Sequence, residues 1–277
     1  MSIHTLIRKI PRALGWTRHS TYLMSAFVLT IGLIVYIWWP LAEEVLAYID
    51  WNGPWWRYFD WLLVGIWLAM SLLIMAGADL RKDLWIVTVG LFGGLAIESW
   101  GTQTEIWWYY TAERPPLWII PAWPIAALSI DRLVRLSNRF PIPKFPIYRL
   151  VYWIIFPVFY ALMLSFVWPT LDKSFTVLTL ILVALLILTP TDYRIAVLTF
   201  AAGAGLGYFL ELWGTTRACW TYYTLQAPPL FAVLAHGMAA VAFWRAMLLL
   251  QRAWKKITTP RAPARPDKAQ PNRPPRH

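Results

Sequence analysis

The stretch Ile97-Glu-Ser-Trp-Gly-Thr-Gln-Thr-Glu-Ile-Trp-Trp-Tyr-Tyr-Thr111 returns in altered form as Leu210-Glu-Leu-Trp-Gly-Thr-Thr-Arg-Ala-Cys-Trp-Thr-Tyr-Tyr-Thr224. The match extends without a gap over residues 79–117 and 192–230, at a constant offset of 113 residues. Each copy places a glutamate at the end of an apolar run, and a Trp-Gly-Thr turn and an aromatic cluster follow it. An acid that is duplicated within an apolar segment indicates a pseudo-symmetric membrane site.

The composition is that of an integral membrane protein. Hydrophobic residues make up 59% of the chain, charged residues make up 14%, and the mean hydropathy is +0.50. The single cysteine, Cys219, excludes a disulfide framework and a cysteine metal site. The sequence also has no metal-spaced His/Cys cluster and no Gly-rich phosphate loop, so we expect no metal and no cofactor.

The apolar runs predict an all-α fold with about eight membrane spans, each near the ~20 residues that a bilayer requires. The expected spans are 21–40, 61–78, 84–100, 117–134, 150–168, 174–190, 195–213 and 228–250. Four spans in each half, in the same orientation, predict two parallel four-helix repeats related by a pseudo-twofold axis along the membrane normal.

Charge between the spans predicts the topology. Arginine and lysine dominate the N-terminal segment, the central connection and the tail, whereas the opposite side carries mostly acids, so both termini are expected to be cytoplasmic. A bacterial inner membrane is the expected location. The expected units are a cytoplasmic or interfacial segment (1–20), a first membrane repeat (21–138), a cytoplasmic linker (139–149), a second membrane repeat (150–254) and a disordered basic tail (255–277).

The net charge of +11 is concentrated in these peripheral segments. It therefore indicates contact with membrane lipids rather than with nucleic acid, for which no binding module is present. A homo-oligomer and a subunit of a larger membrane complex both remain open.

The repeated segment carries the candidate chemistry. Glu98 and Glu211 are the candidate catalytic acids, because a carboxyl group removed from water can stay protonated near neutral pH. Aromatic faces stabilise cations, so an acid beside an aromatic box suits protonation of an alkene and shelter of the resulting carbocation. Gly101 and Gly214 are expected to supply a turn conformation that other residues resist. The candidate substrate-binding residues are Trp100, Trp107, Tyr109, Tyr110, Trp213, Trp220, Tyr222, Tyr223 and Glu113.

His236 lies in the last expected span, at the position that corresponds to Trp123. One interpretation is a hydrogen-bonded packing residue; the other is an acid/base partner of Glu211 that makes the two halves inequivalent.

The segment 97–114, together with Pro121-Ala-Trp-Pro-Ile125, resembles the core motif of the integral-membrane lycopene cyclase domain, which occurs in tandem pairs. The resemblance implies that Glu98 matches the family's first acid, Trp107 and Tyr109 its aromatic pair, and Glu113 its later glutamate. A weaker similarity links the chain to the carotenoid hydratases of the bacterioruberin pathway.

The chain departs from the family pattern at a functionally important point. Where the family has two glutamates after a proline, this chain has Ala126-Ala127, and the second copy has Ala239-Ala240.

Three classes of function therefore stay open. The first is an enzyme that protonates an isoprenoid or carotenoid, either a cyclase (an isomerase) or a hydratase (a lyase). The second is a non-catalytic protein that holds a carotenoid or lipid or serves in a membrane complex. The third is a small transporter, although broken helices at the midplane are not apparent.

Overall fold

The computed structural model describes residues 15–139 and 146–258. Within these ranges the chain forms nine α-helices and two short strands. The helices are α1 (Arg18–Ile37), α2 (Trp39–Ala47), α3 (Trp61–Met75), α4 (Leu80–Gln103), α5 (Ala122–Ser137), α6 (Ile147–Val167), α7 (Ser174–Ile187), α8 (Tyr193–Thr216) and α9 (Leu230–Thr258). The strands are β1 (Trp107–Tyr109) and β2 (Trp220–Tyr222).

Six helical segments are long and apolar enough to cross a bilayer: Arg18–Ile37, Leu80–Gln103, Leu117–Ser137, Ile147–Thr170, Tyr193–Thr216 and Leu230–Thr258. The chain is therefore mostly helical, and these segments are consistent with the expected multi-pass membrane fold. The other two expected spans form the shorter apolar helices α3 and α7. At ~1.5 Å per residue, the 15 residues of α3 extend only about 22 Å, less than the ~30 Å hydrocarbon core.

Aspartates fix where three of the helices begin. The Asp60 side chain accepts a hydrogen bond from the Leu63 N–H at the start of α3, and Asp79 and Asp192 do the same at the starts of α4 and α8. A carboxylate at this position satisfies one of the free N–H groups of the first turn and is favoured by the helix dipole.

The local backbone of the two sequence copies repeats in detail. Helices α4 and α8, and likewise β1 and β2, begin and end 113 residues apart. Non-glycine residues with positive φ follow the same offset: Glu105 (63°) corresponds to Ala218 (53°), and Ala112 (58°) to Leu225 (57°).

β1 and β2 pair with each other, so the two copies are joined directly. The pairing is antiparallel, with Trp107 opposite Tyr222 and Tyr109 opposite Trp220. Four helices also pack on one another in a closed ring, because α4 packs on α5, α5 on α8, α8 on α9, and α9 on α4.

The expected unit boundaries differ from the helices at two places. Helix α6 begins at Ile147, inside the expected linker, and α9 continues to Thr258, so the first four residues of the expected disordered tail are helical. Residues 1–14, 140–145 and 259–277, which hold most of the remaining peripheral segments, lie outside the described ranges.

Candidate functional site

A cavity of about 490 Å³ lies between the two copies and is lined mainly by residues from α4, α5, α7 and α9, with smaller contributions from α6, α8 and the two strands. Both repeated glutamates line it, whereas most of its wall is apolar. Along α9 the lining extends from Phe231 to Leu250, which is about 28 Å at ~1.5 Å per residue. The acids therefore lie towards one end of an elongated apolar space.

Glu98 is buried, with 3% of its surface exposed, and receives three hydrogen bonds. The Trp107 indole donates to Oε2 at 3.1 Å, and the Tyr109 hydroxyl donates to Oε1 at 2.9 Å. The third donor is the Trp123 indole on α5, 3.1 Å from Oε1. Each of these partners is a donor to the carboxylate, and the two indoles have no acceptor to offer in return.

Glu211 has the corresponding arrangement and is equally buried. The Trp220 indole and the Tyr222 hydroxyl each donate to its carboxylate at 2.9 Å. The third contact is His236, whose Nε2 lies 2.9 Å from Oε1. Imidazole Nε2 can donate or accept a hydrogen according to its tautomer, so this site differs chemically from the Glu98 site.

Glycines allow the rings to reach the acids. A Cβ at Gly101 would lie 1.9 Å from the Trp107 ring, and one at Gly214 would lie 2.0 Å from the Trp220 ring. Both glycines are inside helices and neither has a positive φ. The expectation that they form a turn is therefore wrong, since their role is to let an indole lie against the helix backbone.

The aromatic partners of one acid pack against those of the other. Ring centroids lie 5.9 Å apart for Trp107 and Tyr222, and again for Tyr109 and Trp220. The third partners also meet, because the Trp123 and His236 rings stack with centroids 6.0 Å apart. Three ring pairs thus link the two carboxyl groups across the interface between the copies, at distances typical of favourable aromatic contact.

The two tryptophans next to the glycines hold the surrounding helices in place. The Trp100 indole donates to the Thr176 hydroxyl on α7 at 3.2 Å, and Trp100 also lines the cavity. The Trp213 indole donates to Asp60 at 2.7 Å and packs on Trp38, outside the cavity lining.

The remaining candidate residues lie away from the cavity. The Tyr110 hydroxyl donates to the Ile37 carbonyl, and the Tyr223 hydroxyl donates to the Phe166 carbonyl at 2.6 Å. Glu113 is exposed in the loop after β1. The structure therefore brings Glu98, Glu211 and His236 together with Trp100 and the aromatic residues of the two strands, but leaves Tyr110, Tyr223, Trp213 and Glu113 out of the cavity lining.

Two further features of the site bear on its chemistry. Ala126 and Ala239 line the cavity and form part of its apolar wall. Among the described residues there is no group of three or more His, Cys, Asp or Glu side chains that could hold a metal ion.

The sequence did not identify Trp123 as a hydrogen-bond donor to Glu98. It also did not identify Asp60 and Thr176 as the residues that accept hydrogen bonds from Trp213 and Trp100. A signal for Trp123 was present, because it corresponds to His236 and lies opposite Gly94, just as His236 lies opposite Gly207. Asp60 and Thr176 gave no comparable signal, since their partners are distant in sequence.

Comparisons with protein-family models, with curated proteins and with solved structures find no match to this chain.

Proposed function

We propose that this chain is a membrane-embedded protein that admits an isoprenoid or carotenoid chain to its central cavity and protonates it, as a lycopene cyclase-like or hydratase-like enzyme. The observation that supports this best is that Glu98 and Glu211 both line one elongated apolar cavity. Its volume, about 490 Å³, is within the range of small-molecule sites. A long hydrocarbon fits the shape and the apolar wall, and the carboxyl groups are placed to act on one end of it.

The proposed reaction needs only a proton and, for hydration, water. A glutamic acid transfers its proton to one carbon of a carbon–carbon double bond, which leaves a carbocation on the other carbon. In cyclisation a neighbouring double bond attacks this carbon and the product loses a proton to a second base in the cavity, which returns it to the glutamic acid before the next turnover, so the net change is an isomerisation. In hydration a water oxygen attacks the carbocation and then loses a proton to the same second base.

The two acids have different tasks in this scheme. The donors on Glu98 are two indoles, which cannot accept a hydrogen bond, and the Tyr109 phenol, which can, so a proton on Glu98 has only this one neutral acceptor and no base among these partners. A proton on Glu211 can be shared with His236 Nε2 when that nitrogen is unprotonated. Glu98 is therefore assigned as the proton donor to substrate, and the Glu211–His236 pair as the base that accepts and holds a proton.

The same proposal includes the membrane architecture. Eight spans in two parallel repeats, with both termini on the cytoplasmic side of a bacterial inner membrane, fit the charge distribution and the helix offsets. In the antiparallel pairing of β1 with β2, Trp107 lies opposite Tyr222, and their equivalents in the other copy, Trp220 and Tyr109, lie opposite each other. This symmetric pairing supports a pseudo-twofold axis.

A binding protein for a carotenoid or lipid is the second candidate. The apolar wall at Ala126 and Ala239 favours it, because the acids tied most closely to lycopene cyclisation are missing there. Such a protein would use the same cavity, and its glutamates would serve only to anchor the surrounding indoles and phenols.

The test is expression in a lycopene-producing bacterium, with pigments separated by chromatography. We expect the wild-type chain to convert the linear pigment, and Glu98→Gln and Glu211→Gln to abolish conversion while still entering the membrane. Glu44→Gln, which changes an exposed acid on α2, is the matched control and should behave as wild type. Unchanged pigment that copurifies equally with wild type and with both glutamine variants would instead establish the binding function.

A further inference from the structure

The two copies differ at a buried arginine near the start of α4 and of α8. In the first copy the Arg132 guanidinium on α5 is buried and makes ion pairs with Asp83 at 2.7 Å and with Asp131 at 2.5 Å. Asp83 also accepts a hydrogen bond from the N–H of Asp79, the residue that caps α4. The ion pairs of Arg132 are therefore connected to the start of α4.

The second copy keeps the arginine and loses both acids. Arg245 on α9 corresponds to Arg132, whereas Ala196 and Trp244 stand at the positions of Asp83 and Asp131. Arg245 is only 4% exposed. Its partners are neutral: the Thr191 hydroxyl lies 3.1 Å from Nη1, the Thr189 hydroxyl lies 3.1 Å from Nη2, and the Trp244 ring centroid lies 6.0 Å from Cζ.

The charge of Arg245 has no counter-ion in the described part of the chain. No ion pair to it is present there, and its Nε has no hydrogen-bond partner among the described residues. Asp192 follows Thr191 in the chain, but its Oδ1 accepts a hydrogen bond from the Ile195 N–H in the first turn of α8, at 3.0 Å. An uncompensated buried charge is strongly unfavourable, so a bound anion would remove a large penalty.

We infer that Arg245, Thr189 and Thr191 form a binding site for a phosphate group. Two of the five guanidinium N–H donors are used by the threonines, which leaves one further hydrogen on each of Nη1 and Nη2 for oxyanion oxygens, and the buried Nε has no partner among the described residues. The planar donor fork of arginine matches phosphate in two-point contact. Both threonines are exposed in the turn between α7 and α8, so an anion can approach the guanidinium across them.

The surroundings favour an anion over a cation. Arg252 lies two turns further along α9. The site is also at the α7–α8 turn, a helix-end level where lipid phosphates would be found if α7 and α8 enter the bilayer. The phosphate could therefore belong to a lipid headgroup or be free in solution. This site does not depend on the chemistry that we propose for the glutamates.

The experiment uses the full chain purified in an uncharged detergent or reconstituted in vesicles. Thermal unfolding is followed for wild type, Ala196→Asp and Arg245→Gln, with inorganic phosphate, with phosphatidylglycerol vesicles and with phosphatidylcholine vesicles. A ligand that binds only the folded protein raises its unfolding midpoint by mass action. Ala196→Asp restores the acid that Asp83 provides in the first copy, and Arg245→Gln removes the charge but keeps hydrogen-bonding groups.

We expect inorganic phosphate or phosphatidylglycerol to raise the unfolding midpoint of the wild type. This rise should disappear in both variants. Each variant is compared with its own anion-free midpoint, so a general loss of stability does not affect the reading. A rise with phosphatidylglycerol that is smaller or missing with zwitterionic phosphatidylcholine identifies the phosphate of an anionic lipid, whereas a rise with inorganic phosphate as well identifies a site open to solution. An equal rise in all three proteins, or none in the wild type, would overturn the inference.

Discussion

Replacing Gly101 by alanine is the most direct test of how the acid site is built. The added Cβ would lie 1.9 Å from Cη2 and 2.0 Å from Cζ2 of Trp107. Carbon atoms in contact are normally about 3.5–4.0 Å apart, so the indole must move by roughly 1.5 Å or more. Its hydrogen bond to Glu98 is 3.1 Å long, and a displacement of this size takes it past the limit for a hydrogen bond.

The expected loss of stability follows from two effects. Losing a hydrogen bond to a buried carboxyl group costs about 1.5–3 kcal/mol, and overpacking a tight contact costs about 1–3 kcal/mol. Alanine recovers about 0.5–1 kcal/mol relative to glycine within a helix. The net loss in the free energy of unfolding should be about 2–5 kcal/mol for Gly101→Ala, and similar for Gly214→Ala, where the added Cβ meets Trp220 at 2.0 Å.

Unfolding titrations in mixed micelles measure this difference, and Gly205→Ala is the matched control. Gly205 lies in α8 like Gly214, but an added Cβ there meets nothing within 4 Å, so the control should be neutral or slightly stabilising. In a background of Trp107→Ala, the cost of Gly101→Ala should largely disappear. If Gly101→Ala proves as stable as the control, or its cost persists without the indole, the close-approach explanation is refuted.

Two further predictions concern the loops beside the strands. Asp60→Asn keeps a residue able to cap α3 but weakens the contacts to the Trp213 indole and to the Arg217 guanidinium. It should therefore lower the free energy of unfolding by about 1–2 kcal/mol, measured in the same titrations. An unchanged value would show that these contacts are not stabilising. The hydrogen bond from Arg114 lowers the pKa of Glu105, so this ion pair stabilises the protein above the unfolded pKa of about 4.3, and the effect is lost as the pH falls through the folded pKa. The difference in unfolding midpoint between wild type and Arg114→Gln should therefore vanish in acid, and a difference that persists there would contradict this account.

The sequence predicted the positions of the long helices and the equivalence of the two glutamates, because both depend on local patterns. Apolar runs determine where the long helices lie, and the 113-residue offset identifies Glu98 and Glu211 as equivalent. The Trp-Gly-Thr segments were misread as turns, because glycine favours turns in general and only the position of the indole shows why it is needed inside a helix.

The sequence could not show which aromatic residues reach the acids. That choice depends on β1 and β2, which pair across more than a hundred residues and carry no local hairpin signal. Side chains alternate along a strand, so Trp107 and Tyr109 face the carboxyl group together. Tyr110 follows the strand and bonds elsewhere, which is why a cluster that appears uniform in sequence divides into two groups in space.

The differences between the copies are as informative as the repeat itself. The acid, its glycine and its strand partners are kept in both copies, so they form the unit that holds a carboxyl group in an apolar wall. Only the third partner changes, from Trp123 to His236, and these two rings stack on each other at the interface. An indole cannot accept a proton and an imidazole can. A duplicated site that only anchored its rings would have no use for this difference, whereas a site that moves a proton in one direction requires two unequal ends. The single exchange of indole for imidazole therefore favours catalysis over simple binding in the proposed function.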